Sequence, residues 1–167
     1  MEKRDHRRAG LAPVVGPGAR TLILGSMPGN ASLEAGRYYA HPRNRFWPIM
    51  AELLGIGGSY KERLDGLRQA GIALWDVLER CERPGSLDSA IRDEVANDFG
   101  RFLNEHRSIE AVFFNGGTAA ALWRKHVARH QSIRPVARTA VLPSTSPAHA
   151  AMSQADKLKA WRAVLGP

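Results

Sequence analysis

The sequence is poor in cysteine and in acidic residues. Cys81 is the single cysteine among 167 residues, and 16 aspartates and glutamates stand against 24 lysines and arginines. One thiol excludes an internal disulfide and any metal cluster held by several thiolates. A zinc-dependent nucleobase deaminase is also excluded, because no Cys-x-x-Cys pair follows a His-x-Glu sequence. The net charge of +8 suits a partner with a phosphate backbone or an acidic surface.

The sequence also lacks a long hydrophobic run. No segment approaches the roughly 20 apolar residues of a membrane-spanning helix, and no apolar stretch of a secretory signal follows the charged N-terminal residues. We therefore expect a soluble, cytoplasmic protein with no membrane partner. The length and the 44% hydrophobic content fit one domain over residues 1–167. Residues 1–10 are expected to form a flexible basic tail, and a phosphate contact by this tail remains open.

Four short apolar runs, each followed by polar or small residues, predict the strands of a parallel sheet. Helical patterns separate the runs, so helices should cover both faces of the sheet. The runs span residues 21–24, 72–75, 111–114 and 139–142, and the helical patterns span residues 60–70, 87–107 with a break, 118–130 and 154–165. Ligands of open α/β sheets bind beyond the carboxyl ends of the strands, so the polar residues after each run mark the expected site.

The loop after the first run is the first part of that site. It has the sequence Gly25-Ser26-Met27-Pro28-Gly29 and is followed by Tyr38-Tyr39-Ala40-His41-Pro42-Arg43-Asn44-Arg45-Phe46-Trp47. A helix should begin near Phe46, because Phe46, Met50 and Leu53 have the spacing of one buried helix face. Asn44 then lies at or just before the helix N-terminus, where its amide can face a ligand and free N–H groups favour a phosphate. An ordinary helix cap is the alternative for Asn44.

The ends of the third and fourth runs carry further candidates. Asn115 is followed by two glycines that allow close approach of a ligand, and its amide offers a donor and an acceptor to a base edge. An Asx turn leading into the next helix is the alternative. Residues 144–146 offer hydroxyls and N–H groups to a phosphate, unless they form only a helix-entry loop. His41 is interpreted as a loop residue, and no metal site is expected.

Five motifs in this order resemble those of the uracil-DNA glycosylase superfamily, and within it those of the hypoxanthine-DNA glycosylase branch. They extend along nearly the whole chain: Gly25-Ser26-Met27-Pro28-Gly29, Tyr39-Ala40-His41-Pro42-Arg43-Asn44-Arg45-Phe46-Trp47, Gly71-Ile72-Ala73-Leu74-Trp75-Asp76, Phe114-Asn115-Gly116 and Leu142-Pro143-Ser144-Thr145-Ser146-Pro147-Ala148. The resemblance implies a three-layer α/β/α sandwich around a four-stranded parallel sheet. It also implies a monofunctional DNA glycosylase that needs no metal or other cofactor. DNA containing deaminated bases is the implied partner, and we expect a monomer.

The same resemblance implies roles for single residues. Asn44 carries over as the residue tied to catalysis, and Asn115 as the second amide of the site. Ser26 stands where the mismatch-specific uracil glycosylases carry an asparagine, which favours hypoxanthine over uracil as the substrate. His149 stands where the hypoxanthine branch is expected to carry an asparagine, and the role of His149 is open.

Removal of a base passes through an oxocarbenium-like sugar, so the site must stabilise charge growing on the base and present a water. No acidic residue stands in the opening loop as a strong base. Asn44 is therefore expected to orient water or bond the base, and Asn115 to donate to the base edge. An aromatic ring, Tyr39, is expected to stack on the flipped base, with Gly25, Ser26, Met27 and Pro28 around it. The expected phosphate contacts are Arg43, Arg45, Ser144, Thr145 and Ser146.

Two other functions remain open at this point. One is excision of uracil from G:U or G:T mismatches by the same fold. The other is a non-catalytic α/β domain that binds nucleotides or nucleic acid with these loops and releases no base.

Overall fold

The computed structural model describes residues 4–166, and a four-stranded parallel sheet forms its centre. Strand order in this sheet is β3-β2-β6-β7. Thr21 of β2 lies opposite Ile72 of β3 and Ala111 of β6, so the carboxyl ends of the strands meet at one edge. The strands of the whole chain are β1 Arg7–Ala9, β2 Thr21–Gly25, β3 Ile72–Asp76, β4 Leu78–Glu82, β5 Arg92–Ala96, β6 Ala111–Asn115 and β7 Arg138–Leu142.

Helices cover both faces of this sheet. They are α1 Asn30–Ala35, α2 Phe46–Leu54, α3 Tyr60–Gln69, α4 Phe99–Glu105, α5 Gly117–Leu122 and α6 Gln154–Leu165. Leu22 and Leu24 point into a core that includes α4 and α5, whereas Ile23 points into a core that includes α2, α3 and α6. Alternate side chains of one strand thus serve opposite layers, as the pleat requires. The predicted three-layer α/β/α architecture with a four-stranded parallel sheet is confirmed.

A second sheet was not predicted. Strands β1, β4 and β5 form an antiparallel sheet with β4 in the middle. The prediction of a helix over residues 87–107 is therefore wrong at β5, although α4 lies within that range. The expected flexible tail over residues 1–10 is likewise a strand at residues 7–9, and residues 1–3 lie outside the described part of the chain. Pairing with β4 supplies backbone partners from distant parts of the chain, which overrides local propensity.

The helical pattern over residues 118–130 also differs from an ordinary helix. It begins as α5 and continues as a wider π-helical turn over Trp123–Ala128. Within residues 4–166, no helix has the length and apolarity needed to cross a membrane.

Candidate active site

A cavity of about 610 Å³ opens at the carboxyl edge of the parallel sheet. Its walls come from four loop segments, at residues 25–32, 38–44, 86–88 and 144–149, and from the strand-end residues Asp76 and Asn115. This volume lies within the range of roughly 300–1,000 Å³ that is usual for small-molecule sites. The sheet topology thus gathers residues from five parts of the chain around one space.

The cavity brings together all but one of the predicted site residues. Arg45 is the exception, because it does not line the cavity and its Nε atom is buried. The backbone N–H of Arg45 donates to the Thr145 carbonyl at 3.0 Å, so this residue ties the helix entry to the last loop. The predicted residues that line the cavity are Gly25, Ser26, Met27, Pro28, Tyr39, Arg43, Asn44, Asn115, Ser144, Thr145 and Ser146.

Asn44 combines the two roles that the sequence left open. Its Oδ1 atom accepts the backbone N–H of Phe46, the first residue of α2, at 2.9 Å. The side chain also lines the cavity, and the amide nitrogen at its other end remains a donor. Capping of the helix therefore orients the amide, since the oxygen is committed to Phe46.

Asn115 is held by Thr145 through two hydrogen bonds. Its Nδ2 donates to Thr145 Oγ1 at 2.9 Å, and its Oδ1 accepts the Thr145 N–H at 3.0 Å. The oxygen thus bonds a distant loop and not the backbone two residues on, as an Asx turn would require. Thr145 is 1% exposed, which does not fit the predicted phosphate contact, because its hydroxyl and N–H are engaged with Asn115. Gly116 has a φ of 100°, and a Cβ there would lie 3.0 Å from Ser144 Cβ.

The opening loop is fixed by two residues that the sequence analysis missed. Ser26 Oγ donates to Asp88 Oδ1 at 2.8 Å. Arg83 is fully buried and donates from Nη2 to the Pro28 carbonyl at 2.8 Å. Both partners follow β4 in the chain and reach the loop only because the antiparallel sheet packs beside the parallel one, so no local sequence signal indicated them.

Tyr39 has an uncommon backbone conformation for a non-glycine residue, with a φ of 55°. Its ring stacks on Phe46 with centroids 4.0 Å apart, so only the opposite face of the ring is free to stack on a base. The Tyr39 hydroxyl is buried and makes no hydrogen bond of acceptable geometry within residues 4–166, although the Asn115 side chain approaches it. Burial and the nearby Asp76 raise the pKa of Tyr39, so this hydroxyl stays protonated.

Asp76 is the acidic residue of the cavity wall, and it was not among the predicted site residues. It ends β3, is 4% exposed, and its Oδ2 has no hydrogen-bond partner in the described chain. Burial, and then the charge of Asp88, raise the pKa of Asp76 to about 7, while Arg83 opposes the rise. The available sequence signal was its position after an apolar run, the same signal that identified Asn115.

The last loop is stabilised from within and from α6. Ser144 Oγ accepts the Ser146 N–H at 3.2 Å, and Ser146 Oγ accepts the Ala148 N–H at 3.2 Å. Lys157 of α6 is buried and donates to the His149 carbonyl. His149 lines the cavity, where its Nδ1 is buried without a partner in residues 4–166.

Comparison with known proteins agrees with this fold and site. The sequence profile described as "Uracil DNA glycosylase superfamily" matches residues 12–165. A protein from Methanosarcina acetivorans named hypoxanthine DNA glycosylase is 32% identical over 165 residues, which cover 94% of this chain and 97% of that protein. A protein of the same name from Methanosarcina barkeri is 35% identical over 113 residues, which cover 66% of this chain and 72% of that protein.

A solved structure gives the same result for the fold. It is a solution NMR structure from Methanosarcina acetivorans, described as a candidate uracil DNA glycosylase. The TM-score is 0.77 at 32% identity, and the alignment covers 95% of this chain and 96% of that one. Because the profile spans nearly all of the described residues, the resemblance inferred from the five motifs is confirmed, and the chain belongs to the uracil DNA glycosylase superfamily.

Proposed function

We propose that this protein is a DNA glycosylase that extrudes hypoxanthine from DNA and hydrolyses its bond to deoxyribose. The observation that carries the proposal is the presence of two amides, Asn44 and Asn115, in the wall of one cavity of about 610 Å³. The names of the Methanosarcina relatives support the same substrate. All walls of the cavity come from one chain, which supports action as a monomer on DNA that contains deaminated bases.

The chemistry assigned to the amides follows from the bond that is broken. The C1′–N9 bond of deoxyinosine breaks with both electrons passing to the base, while the sugar acquires oxocarbenium character. Donors that are already oriented stabilise such growing negative charge without reorganisation. Asn115 supplies one such donor, because Thr145 holds its amide in place. Asn44 supplies the second amide, which orients the water or bonds the base.

Selectivity for hypoxanthine rests on the loop after β2. Ser26 is a shorter side chain than asparagine, and its hydroxyl is already bonded to Asp88. This arrangement leaves room for a purine beside Pro28 and offers no side-chain amide at the position of the uracil-specific enzymes. Adenine carries an amino donor where hypoxanthine carries a carbonyl, so a donor of the site would face a donor. Such a mismatch costs roughly 1–3 kcal/mol.

The test is a base-release assay on oligonucleotides that contain a single inosine, uracil, xanthosine or adenine. It is run under single-turnover conditions, where slow product release cannot conceal the chemical step. We expect inosine to be processed faster than uracil, and adenine to remain intact. Faster release of uracil would assign the protein to mismatch uracil excision. DNA binding with no base released from any oligonucleotide would indicate a non-catalytic domain.

A further inference from the structure

A buried carboxyl group with a free oxygen lies in the cavity wall opposite the two amides. Gly25 and Asp76 are register partners on β2 and β3, whereas Asn115 ends β6 on the other side of β2. Asp76 is 4% exposed and lines the cavity, and its Oδ2 has no partner within residues 4–166. A buried polar atom left without a partner costs free energy, so its retention here indicates a ligand that completes the pairing.

The position of Asp76 indicates which part of a nucleotide it meets. An extruded nucleotide enters a pocket base first, and its sugar stays nearer the opening, where the phosphates join the surface. Asp76 lies at the strand end with its carboxyl buried, on the wall that holds the Tyr39 hydroxyl close to Gly25. This depth favours contact with the base over contact with the water that attacks the sugar.

The charged and titratable groups around Asp76 favour its neutral form. Asp88, which follows β4, repels a carboxylate at this position, and Arg83 attracts it only as a smaller opposing influence. Tyr38 and Tyr39 face it from the segment before α2, and both have raised pKa values, so neither brings a charge. No salt bridge to Asp76 occurs in the part of the chain that the structure describes.

We infer that Asp76 acts in its protonated form as a hydrogen-bond donor to the departing purine, an inference that rests on the glycosylase activity proposed above. The Oδ2–H group meets an acceptor atom of hypoxanthine, and this hydrogen bond strengthens as the C1′–N9 electron pair moves onto the ring. Water adds its hydroxyl to C1′, and the proton released from that water neutralises the base. Asp76 shares its own proton throughout and keeps it at the end. An ionised carboxylate would instead repel the anionic leaving group.

The experiment measures single-turnover release from inosine and uracil oligonucleotides between pH 5 and 9. Four proteins are compared: the unchanged chain, Asp76→Asn, Asp76→Ala, and Asp65→Asn as a matched control at an exposed helix position. The unchanged protein should slow down above about pH 7, the pKa of Asp76. Asp76→Asn keeps an N–H donor and should stay within several-fold of the low-pH rate, without the decline at high pH. Asp76→Ala should lose roughly 10²–10³-fold at pH 6, as removal of an oxyanion-type donor does.

Other outcomes overturn the inference and are distinguishable from failure of the proposed function. A rate that rises with pH, together with an inactive Asp76→Asn variant, would make Asp76 a general base. An unchanged rate and pH profile in Asp76→Ala would make it a bystander. Asp88→Asn provides a variant that keeps Asp76 itself: loss of the neighbouring charge should move the decline to lower pH. No base release by the unchanged protein at any pH would reject the glycosylase activity, and the role of Asp76 with it.

Discussion

Thr145 holds the side-chain amide of Asn115 at both ends, with an N–H donated to the Asn115 oxygen and a hydroxyl that accepts from the Asn115 nitrogen. The two residues lie 30 positions apart, at the end of β6 and in the loop after β7. The pair fixes which end of the amide is the donor before a base enters. Orientation of this kind is what makes a donor effective in a transition state, because no reorganisation is needed during the reaction.

The pair predicts a graded loss of activity. Asn115→Ala removes the donor and should reduce hypoxanthine release by roughly 10²–10³-fold. Thr145→Val keeps the shape but removes the hydroxyl, so the loss should match one hydrogen bond, about 0.5–1.5 kcal/mol. Thr145→Ser should restore most of the rate. Single-turnover rates measure all three variants, and equal rates in Thr145→Val and the unchanged protein would contradict the positioning role.

Asn44 allows its two functions to be separated. Asn44→Asp keeps an oxygen to accept the Phe46 N–H but removes the amide donor, whereas Asn44→Ala removes both. Both variants should lose about 2–4 kcal/mol of transition-state stabilisation. Only Asn44→Ala should also show a lower melting temperature, because it alone loses the cap, worth about 0.5–2 kcal/mol. Full activity in Asn44→Asp would leave Asn44 with a capping role alone.

Gly25 is predicted to tolerate no side chain. A Cβ at this position would collide with Oδ1 of Asp76 on the neighbouring strand and would approach the Tyr39 hydroxyl at 3.7 Å. Gly25→Ala should therefore destabilise the fold by about 1–3 kcal/mol, as overpacking does. It should also reduce base release, since the cavity wall must shift. Gly57→Ala is the control, because nothing lies within 4 Å of a Cβ there, and its unfolding midpoint should not fall.

Stability should depend on pH through Asp76. Its pKa is raised from the ordinary value of 3.8 to about 7 in the folded protein, so the folded state binds the proton more tightly than the unfolded chain. This group therefore contributes a loss of stability as pH rises from about 4 to about 7. Asp76→Asn lacks this titration. The melting temperature of the variant relative to the unchanged protein should be higher at pH 8 than at pH 5, and a constant difference would contradict the buried carboxyl.

Binding to undamaged DNA should weaken steeply with salt, because the chain carries a net charge of +8 and presents Arg43 and the serine loop at the cavity. Each neutralised phosphate contributes about −0.9 to the slope of log affinity against log salt concentration. Arg43→Ala should make this slope shallower by about one contact. Arg107→Ala is the control, because Arg107 precedes β6 at the opposite edge of the sheet. Fluorescence anisotropy at several salt concentrations measures both slopes, and binding that is independent of salt would contradict a backbone contact.

The parallel sheet and the identity of the family were determined by the sequence itself. Apolar runs that alternate with helical periodicity are local patterns, and each predicted strand agrees with the observed one to within a residue at either end. The five motifs lie in short segments, and the cavity gathers the predicted residues of the loop after β2 together with Asn44 and Asn115. These features were predictable because the spacing along the chain already contains them.

Only the tertiary structure decided how the site is held and where its acid lies. Arg83 and Asp88 reach the opening loop through an antiparallel sheet whose strands pair over long sequence distances. Asp76 enters the cavity because β2 and β3 are in a register that places it beside Gly25. Thr145 is committed to Asn115, and Arg45 turns away, although both have the chemistry of phosphate ligands. Such choices depend on hydrogen bonds and burial between distant segments, and local spacing carries no record of either.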